Sequence, residues 1–402
     1  MSRKTLKTLF HMGNKGYKEE YERRFHDADT IHLAVMIGDY PAFLCQTPEL
    51  YKQIIAIERL DKKAADLYYS LPPIAIRQFT DKCLIDEILL TNHIEGVHST
   101  RKEIGEILQD LSTQNKQSRF VGLVAKYVAL ELKKPLSFET CQDIRKVYDD
   151  IFYEEVKATD PSNLPDGQIF RRSKVQVHSA TQKVIHNGLY PESKIIEAFE
   201  QSLAMLNDQS IDIFIRIALF HYLFGYIHPF YDGNGRTSRF ISSYLLSKHL
   251  TPLIGFRLSY TIKEHISKYY KAFDICNDPH NCGELTPFAE MFLEIVRISL
   301  DQLVETLQEK KQQWDHYCDH IDELPNADRP DAVKLYDLLI QAALFSNIGI
   351  SRDELIKNME ISGNTLRSRL KLIPESLLCE NRQKGRKYYL LDLENASKLM
   401  AE

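Results

Sequence analysis

A long apolar stretch that ends in a glycine-containing loop constrains this chain more than any other feature. Residues 211–227 are mostly apolar but include Asp212, Arg216 and His221. The stretch falls short of the roughly 20 apolar residues that cross a bilayer, so it predicts a buried core helix. It runs directly into the sequence HPFYDGNGRTSR at residues 228–239, and a second apolar helical run follows. The sequence therefore predicts a core helix, a loop and the start of another helix.

The loop at residues 228–239 has the composition of an anion site. Gly233 and Gly235 flank Asn234 just before the second helix. Glycines let backbone N–H groups approach a phosphate closely, and a helix N-terminus adds free donors and the positive end of a dipole. Arg236 and Arg239 are three residues apart, so both guanidinium groups share one face and can reach a triphosphate. We expect a nucleotide-phosphate pocket here.

Two further residues of the loop predict chemistry as well as binding. Asp232 would repel a phosphate on its own, but a Mg²⁺ ion bridging its carboxylate to phosphate oxygens removes the conflict. The imidazole of His228 can accept a proton from an attacking hydroxyl. The Walker-loop pattern is absent, which disfavours an ordinary nucleoside triphosphatase. A lone histidine or a lone Gly-Asn-Gly is more often structural, so the prediction depends on their combination.

Position by position, residues 228–239 resemble the HPFx[DE]GNGRxxR signature of Fic-domain proteins. Proteins of that family transfer AMP from ATP to Ser, Thr or Tyr hydroxyls of target proteins. The resemblance extends over roughly residues 80–300 and implies a mainly α fold, a Fic-type helical bundle with one β-hairpin flap. The roles that it implies are the base for His228, a Mg²⁺ ligand for Asp232, the anion hole for Gly233, Asn234 and Gly235, and the β- and γ-phosphate ligands for Arg236 and Arg239.

Two other stretches extend the resemblance. Residues 175–188 alternate apolar and polar positions around a turn at residues 179–182, which predicts a β-hairpin. This hairpin occupies the place of the Fic flap, which pairs with the backbone of a target by strand addition. A purely structural hairpin is the alternative. Downstream, Tyr270 and Asn277 resemble the adenine-side residues of the family, although aromatic residues at helical spacing are more often part of a core.

A second motif, at residues 91–96, precedes the loop. Its sequence TNHIEG is similar to the [ST]xxxE[GN] motif that some Fic proteins carry on a helix. Thr91 and Glu95 are four residues apart and share a helix face, and Gly96 suits a helix end. The resemblance implies that Glu95 pairs with Arg239 and competes with the γ-phosphate of ATP. An ordinary amphipathic helix with a glycine cap is the alternative.

The length and the change of pattern along the chain predict three regions. At 402 residues the chain is too long for one compact core. We expect a helical region at 1–130 with the inhibitory helix at about 81–96, a Fic catalytic domain at 131–310, and a small domain at 328–402. Residues 1–30 are polar and predict a loosely ordered arm. The helical pattern of residues 48–131 and of the central region leaves residues 175–188 as the one predicted hairpin.

The last seventy or so residues resemble a winged helix-turn-helix. Two short helices are predicted around a break at residues 362–364, with Arg367, Arg369 and Lys371 on the second. Two strands, at 377–379 and 388–391, flank a basic wing at 381–387. Winged helices bind DNA or proteins. The expected partner is therefore DNA or another protein.

Composition narrows the setting of the protein. A net charge of −5 and a pI near 6.3 give no global attraction to nucleic acid or to anionic membranes. Seven scattered cysteines without a C-x-x-C pair indicate reduced thiols and a cytoplasmic location. Neither Cys276, His280 and Cys282 nor His316, Cys318 and His320 has the paired spacing of a zinc site. The oligomeric state stays open, a homodimer included.

The leading interpretation is an autoinhibited, Mg²⁺-dependent protein adenylyltransferase that uses ATP. Its partner would be a protein with an acceptor hydroxyl, the chain itself included. Removal of AMP from the same target, or transfer of another phosphate-linked group, is the nearest alternative. A DNA-binding regulator that senses a nucleotide without turnover is an alternative from another class. His228 argues against that sensor, because a sensor needs the anion pocket but no base.

Overall fold

The fold is mainly α-helical, as the sequence predicts. The computed structural model describes residues 3–13, 16–111, 119–178 and 184–400. The chain forms two compact units, Met1–Asp61 with Glu87–Leu300, and Lys62–Asp86 with Asp301–Glu402. Within the described ranges, no helix is both long and apolar enough to span a bilayer.

Helices supply most of the structure in both units. Three of them, α3, α4 and α13, continue from one unit into the other along the chain. The helices are α1 (Leu6–His11), α2 (Tyr17–Phe25), α3 (Pro48–Ser70), α4 (Pro73–Ile94), α5 (Arg101–Gln109), α6 (Val121–Glu131), α7 (Cys141–Thr159), α8 (Glu192–Asn207), α9 (Ile213–Ile227), α10 (Asn234–His249), α11 (Leu258–Glu264), α12 (Ile266–Asn277), α13 (Thr286–Asp319), α14 (Pro330–Phe345), α15 (Arg352–Met359), α16 (Gly363–Leu370) and α17 (Leu393–Met400).

In the part of the chain that the structure describes, the strands form three small antiparallel sheets. Two are hairpins, and the third has the order β5-β7-β6. The strands are β1 (Thr30–Ile37), β2 (Tyr40–Cys45), β3 (Gln176–His178), β4 (Val184–Asn187), β5 (Ile350–Ser351), β6 (Leu378–Gln383) and β7 (Arg386–Leu391).

Helix α9 is the predicted core helix. Asp212 caps its start by accepting hydrogen bonds from the N–H groups of Phe214 and Ile215, and its side chains are buried nearly all round. A helix that is apolar on every face needs neighbours on every face. Helix α9 packs against α8 and α10, and α10 also contacts α6, α7 and α11. This packing fixes the two helices that the loop at residues 228–239 joins.

A buried histidine ties three of these helices together. His221 on α9 lies 2.8 Å through Nδ1 from Ser242 Oγ on α10, and 2.8 Å through Nε2 from Tyr269 Oη on α12. Burial lowers the pKa of His221 from 6.5 to about 3, so the ring is neutral at physiological pH. A neutral imidazole can donate one hydrogen bond and accept another, which suits a bridge between two hydroxyl groups.

The prediction of a loosely ordered N-terminal arm is wrong. Residues 3–30 contain α1 and α2, and Leu6 is fully buried. Arg24 is buried and donates from Nη1 to Glu284 Oε2 at 2.8 Å. Its partner lies 260 residues further along the chain, so no local pattern could predict the contact.

A second hairpin, β1–β2, was missed as well, and the expectation of a single hairpin in an otherwise helical chain is wrong. Thr30↔Cys45 and Ile37↔Tyr40 mark the ends of its antiparallel register. The last residues of β1 alternate between buried and exposed, and Gly38 turns the chain with a φ of +59°. Alternation before a glycine is a hairpin signal, so this hairpin was predictable from the sequence.

The predicted hairpin is present as strands β3 and β4. They pair antiparallel, with Gln176 opposite Asn187 and Val177 opposite His186. The predicted turn at residues 179–182 lies outside the described residues. Nearby, Thr140 is the N-cap of α7 and forms a capping box with Asp143.

The second unit contains the predicted helix pair and strands. Ser351 caps α15 through a capping box with Glu354, and Ser362 caps α16. Strands β6 and β7 pair from Leu378↔Leu391 to Gln383↔Arg386. The basic residues expected in a wing loop therefore lie mostly within the strands, and the winged-helix assignment stays a prediction.

Candidate active site

The loop at residues 228–239 is held by both helices that it joins. His228 ends α9 in the left-handed region, with a φ of +54°, and Gly233 starts α10 with a φ of +77°. The Asn234 side chain accepts from Phe230 N at 3.0 Å and donates to Phe230 O at 2.8 Å. The Phe230 ring is buried and stacks on Tyr148 at 3.7 Å between centroids. Phe230 thus anchors the loop, and the Asn234 side chain closes it.

The first two turns of α10 carry the two predicted phosphate ligands. Arg236 and Arg239 are both 1% exposed. Buried guanidinium groups need acceptors, and each has a carboxylate partner. One carboxylate lies on α7 and the other directly follows α4, and the two differ in exposure.

Arg236 pairs with a residue that the sequence analysis missed. Its Nη1 donates to Glu155 Oε1 at 2.8 Å, and its guanidinium lies 4.4 Å from the centre of the Phe152 ring. Glu155 is 8% exposed. It follows Ile151 by four residues on the apolar face of α7. An acidic residue on a buried face requires a cationic partner, and this signal was available in the sequence.

Arg239 contacts two residues of the motif at residues 91–96. Nε donates to Thr91 Oγ1 at 2.8 Å, and Nη2 donates to Thr91 O at 3.0 Å and to Glu95 Oε1 at 2.7 Å. The Glu95 side chain is 32% exposed. Gly96 follows the end of α4 with a φ of +72°. The structure therefore brings Thr91, Glu95 and Arg239 together, at the end of a helix as predicted.

The Glu95 carboxylate also lies on the anion loop itself. A side-chain carbon added to Gly235 would collide with Glu95 Oε1 and would lie 3.0 Å from Arg239 Nη1. The space above the Gly235 backbone is thus occupied by a carboxylate. An anion on α10 and the Glu95 carboxylate would compete for the same positions.

His228 is half-buried beside this pocket. Burial, followed by the positive charge of Arg171, lowers its pKa from 6.5 to about 4, whereas Glu95 acts in the opposite direction. The imidazole also has a hydrogen bond to the backbone of Gly225. The ring is therefore neutral at physiological pH and can accept a proton.

Asp232 differs from the two arginines because its side chain is 51% exposed. Oδ1 accepts from Gly233 N at 2.5 Å, and Oδ2 lies 3.5 Å from Arg236 Nη2. A half-exposed carboxylate beside an anion loop fits the oxygen ligands that Mg²⁺ takes from protein and phosphate. The Asp232 carboxylate therefore has the exposure and the oxygen chemistry that would suit a magnesium ligand.

The predicted adenine-side residues lie on α12. Tyr270 is 41% exposed, and burial and Glu95 raise its pKa whereas Arg239 lowers it, so Tyr270 lies close to that ion pair. Asn277, the last residue of α12, accepts through Oδ1 from Tyr222 Oη at 2.7 Å. Its amide nitrogen keeps two donors for other partners.

The structure does not gather the cysteine and histidine sets as metal sites in the ranges it describes. His280 lies instead with His11 and Asp278, and Lys7 Nζ already pairs with Asp278 at 2.9 Å. In the other set, His320 Nδ1 bonds the backbone of His316. Both sets stay unassigned.

Part of the chain is similar to a known family of proteins. Residues 138–246 match the model of the Fic/DOC family. This stretch is thus similar to the Fic/DOC family, and it contains the loop on which the predicted resemblance rests.

Curated relatives match a longer stretch. The chain is 28% identical over 255 residues to the protein adenylyltransferase Fic of Aedes aegypti, a match that covers 61% of this chain and 46% of that protein. It is 27% identical over 253 residues to the protein of the same name from Culex quinquefasciatus, with the same coverage. The matched region thus spans about half the length of these relatives.

A solved structure supports the fold. A Fic family protein from Desulfovibrio desulfuricans G20 aligns with a TM-score of 0.52 at 19% identity. The alignment covers 86% of this chain and 96% of that one. Its likeness concerns the fold alone.

Proposed function

We propose that this protein is a protein adenylyltransferase, which moves AMP from ATP to a hydroxyl of a target protein, and that residues 131–310 are its catalytic domain. The observation that carries the proposal is the position of a neutral, half-buried His228 at the edge of an anion loop with two buried arginines. A phosphate pocket alone would bind a nucleotide. A neutral base beside it adds the group that activates a nucleophile.

The chemistry follows from this arrangement. His228 accepts the proton of the target hydroxyl while the hydroxyl oxygen attacks the α-phosphorus of ATP. A new O–P bond forms, the bond from the α-phosphorus to the bridging oxygen breaks, and pyrophosphate leaves with the electron pair. Arg236, Arg239 and the N–H groups at the start of α10 stabilise the charge on the departing phosphates. Mg²⁺ held by Asp232 would supply further charge neutralisation.

We propose that Glu95 inhibits this reaction. Its carboxylate holds Arg239 and covers the Gly235 backbone, where the γ-phosphate would need the same groups. A bound ATP would then lie out of line for attack, and alignment accounts for much of the rate of such reactions. Glu95 is the more exposed partner of its pair, so it can leave while Arg239 stays in place.

The proposed acceptor is a protein segment that adds as a strand to the flap. Residue 188 follows β4 and lies next to His228, because a side-chain carbon on Gly188 would be 3.0 Å from His228 Cβ. A strand paired with the flap would therefore run past the base. We also propose a cytoplasmic location, since all seven cysteines are free thiols.

Labelled ATP tests the proposal. Protein and candidate targets are incubated with ATP labelled at the α- or the γ-phosphate, using wild type, Glu95→Gly and Glu95→Gly/His228→Ala. Retention of α label alone, strongest in Glu95→Gly and absent in the double variant, supports AMP transfer. Retention of γ label would indicate a kinase. Retention of neither label would favour AMP removal or nucleotide sensing and would overturn the proposal.

The second unit adds no function to this proposal. Glu380 pairs with Arg382 and Lys387 on the β6–β7 hairpin, and Arg369 on α16 pairs with Asp331. These acidic partners reduce the positive charge that DNA phosphates would meet. DNA binding stays a prediction, which a mobility-shift assay at low salt would test.

A further inference from the structure

A fully buried arginine lies at the base of the flap. Arg171 is 0% exposed, and its side chain donates to three backbone carbonyls. Nε donates to His228 O at 2.9 Å, Nη1 to Ser173 O at 2.6 Å, and Nη2 to Leu189 O at 2.9 Å. Burying a guanidinium costs free energy that its hydrogen bonds must offset. Its position therefore calls for an explanation.

The three residues whose carbonyls accept from Arg171 explain why this arginine is buried. His228 is the proposed base, Ser173 lies before β3, and Leu189 lies after β4. One planar guanidinium thus connects the backbone of the base to both ends of the flap. Arg171 N also donates to Pro229 O at 3.3 Å, and Leu189 N donates to Ile227 O at 3.1 Å. Main-chain bonds therefore reinforce the same junction.

Gly188 shows how closely the flap approaches the base. A side-chain carbon at this position would lie 2.5 Å from Arg171 Nη2 and 3.0 Å from His228 Cβ. Any residue other than glycine would push the flap and His228 apart. The charged and titratable groups that face the imidazole are Arg171, Glu95 and His186.

We propose that Arg171 is a positioning residue, which sets the flap and the His228 base in one fixed arrangement so that a strand bound to the flap presents its hydroxyl to the imidazole. The inference rests on the proposed function. A guanidinium is suited to this task because its donors point in fixed directions within one plane. A lysine would retain the charge, but its single ammonium group could not donate to all three carbonyls in the directions that the guanidinium does.

A neighbouring contact offers a matched comparison. Tyr231 Oη donates to Asp166 Oδ1 at 2.9 Å and accepts from Ser173 N at 2.9 Å. This hydroxyl also links the loop to the start of the flap, but it carries no charge. Tyr231→Phe therefore weakens the flap attachment without removing a charge that faces His228.

The test compares Arg171→Lys, Arg171→Met and Tyr231→Phe in the full chain with Glu95→Gly. NMR titration of the His228 imidazole, assigned with His228→Asn, gives its pKa without ATP or a target. We expect Arg171→Met to raise that pKa, because the positive charge of Arg171 contributes to lowering it. Arg171→Lys should keep the pKa low while kcat for AMP transfer falls about 100-fold with an unchanged KM for ATP, as misplacement of a reacting group predicts. Tyr231→Phe should leave the pKa unchanged.

Each outcome decides the inference. An unchanged His228 pKa in folded Arg171→Met, or a full kcat in Arg171→Lys, would overturn it. If thermal melting shows that Arg171→Met does not fold, the kcat of Arg171→Lys decides. If Glu95→Gly itself transfers no AMP, the proposed function fails, and the titration then decides separately whether Arg171 acts on His228.

Discussion

Glu95 and Arg239 form an ion pair of 2.7 Å in which the carboxylate is 32% exposed and the guanidinium only 1%. Arg236 and Glu155 form a second pair of 2.8 Å in which both partners are buried. The two motif arginines thus have carboxylates of different kinds. Breaking the buried pair would leave an uncompensated charge in the core, whereas Glu95 can exchange its partner for water.

Replacing Glu95 with glycine should therefore activate the enzyme. A hydrogen bond between charged groups contributes about 1.5–3 kcal/mol, so its loss should raise the rate of AMP transfer about tenfold or more. Incorporation of α-labelled phosphate measures the effect. Glu139→Gly, which removes an exposed carboxylate before α7, serves as the control and should behave as wild type. Equal rates for Glu95→Gly and wild type would refute the inhibitory role.

Activity should persist well into the acid range. The base works only when neutral, and the pKa of His228 is lowered from 6.5 to about 4, so the neutral form survives to lower pH than for an ordinary histidine. Glu95 favours the protonated imidazole, and its removal should lower the pKa further. Initial rates of Glu95→Gly between pH 4.5 and 8 measure this. A rate that halves near pH 6.5 would contradict the lowered pKa.

Transfer should require a divalent cation through Asp232. In Glu95→Gly, a chelator should abolish transfer and added Mg²⁺ should restore it. Asp232→Asn should stay about 100-fold slower even at saturating Mg²⁺, because charge neutralisation by a metal contributes several kcal/mol to such reactions. Rates measured against Mg²⁺ concentration test the assignment. Full activity of Asp232→Asn would exclude this residue as the ligand.

A buried carboxylate on α4 should make stability depend on pH. Glu87 is fully buried and accepts from Ser259 N at 2.8 Å and Ser259 Oγ at 2.5 Å. Burial, against the hydrogen bonds of Ser259, raises its pKa from 4.5 to about 7. The fold thus favours the protonated form, and its contribution to stability is lost as the pH rises from about 4.5 to 7.

Glu87→Gln mimics the protonated acid. Its free energy of unfolding should rise relative to that of wild type by on the order of 1 kcal/mol per pH unit between pH 4.5 and 7. Above pH 7 the difference should stay constant. Thermal midpoints of both proteins at pH 5 and pH 8 give the comparison. Other groups titrate alike in both proteins, so the difference isolates Glu87. The same difference at both pH values would disprove the raised pKa.

Local chemistry explains what the sequence could predict. The loop at residues 228–239 and the motif at residues 91–96 are each one continuous stretch of sequence. Their helix ends, glycines and charged residues could therefore be predicted locally, and the structure places Glu95 on Arg239. Glu155 and Arg171 were missed because their partners lie 81 and 57 residues away. Arg24 was missed for the same reason. A residue that acts through a long-range contact leaves no local sequence pattern that predicts the contact. Glu155 is an exception, because a carboxylate on an apolar helix face indicates a buried partner.

The neutral imidazole of His221 has a consequence far from any ligand. It joins α10, which carries Arg236 and Arg239, to α12, which carries Tyr270 and Asn277. If those residues hold the two ends of a nucleotide, the core bridge fixes the span between them. The pocket would then select nucleotides by their length. A substitution at His221 would change which nucleotides fit, although His221 itself contacts no nucleotide.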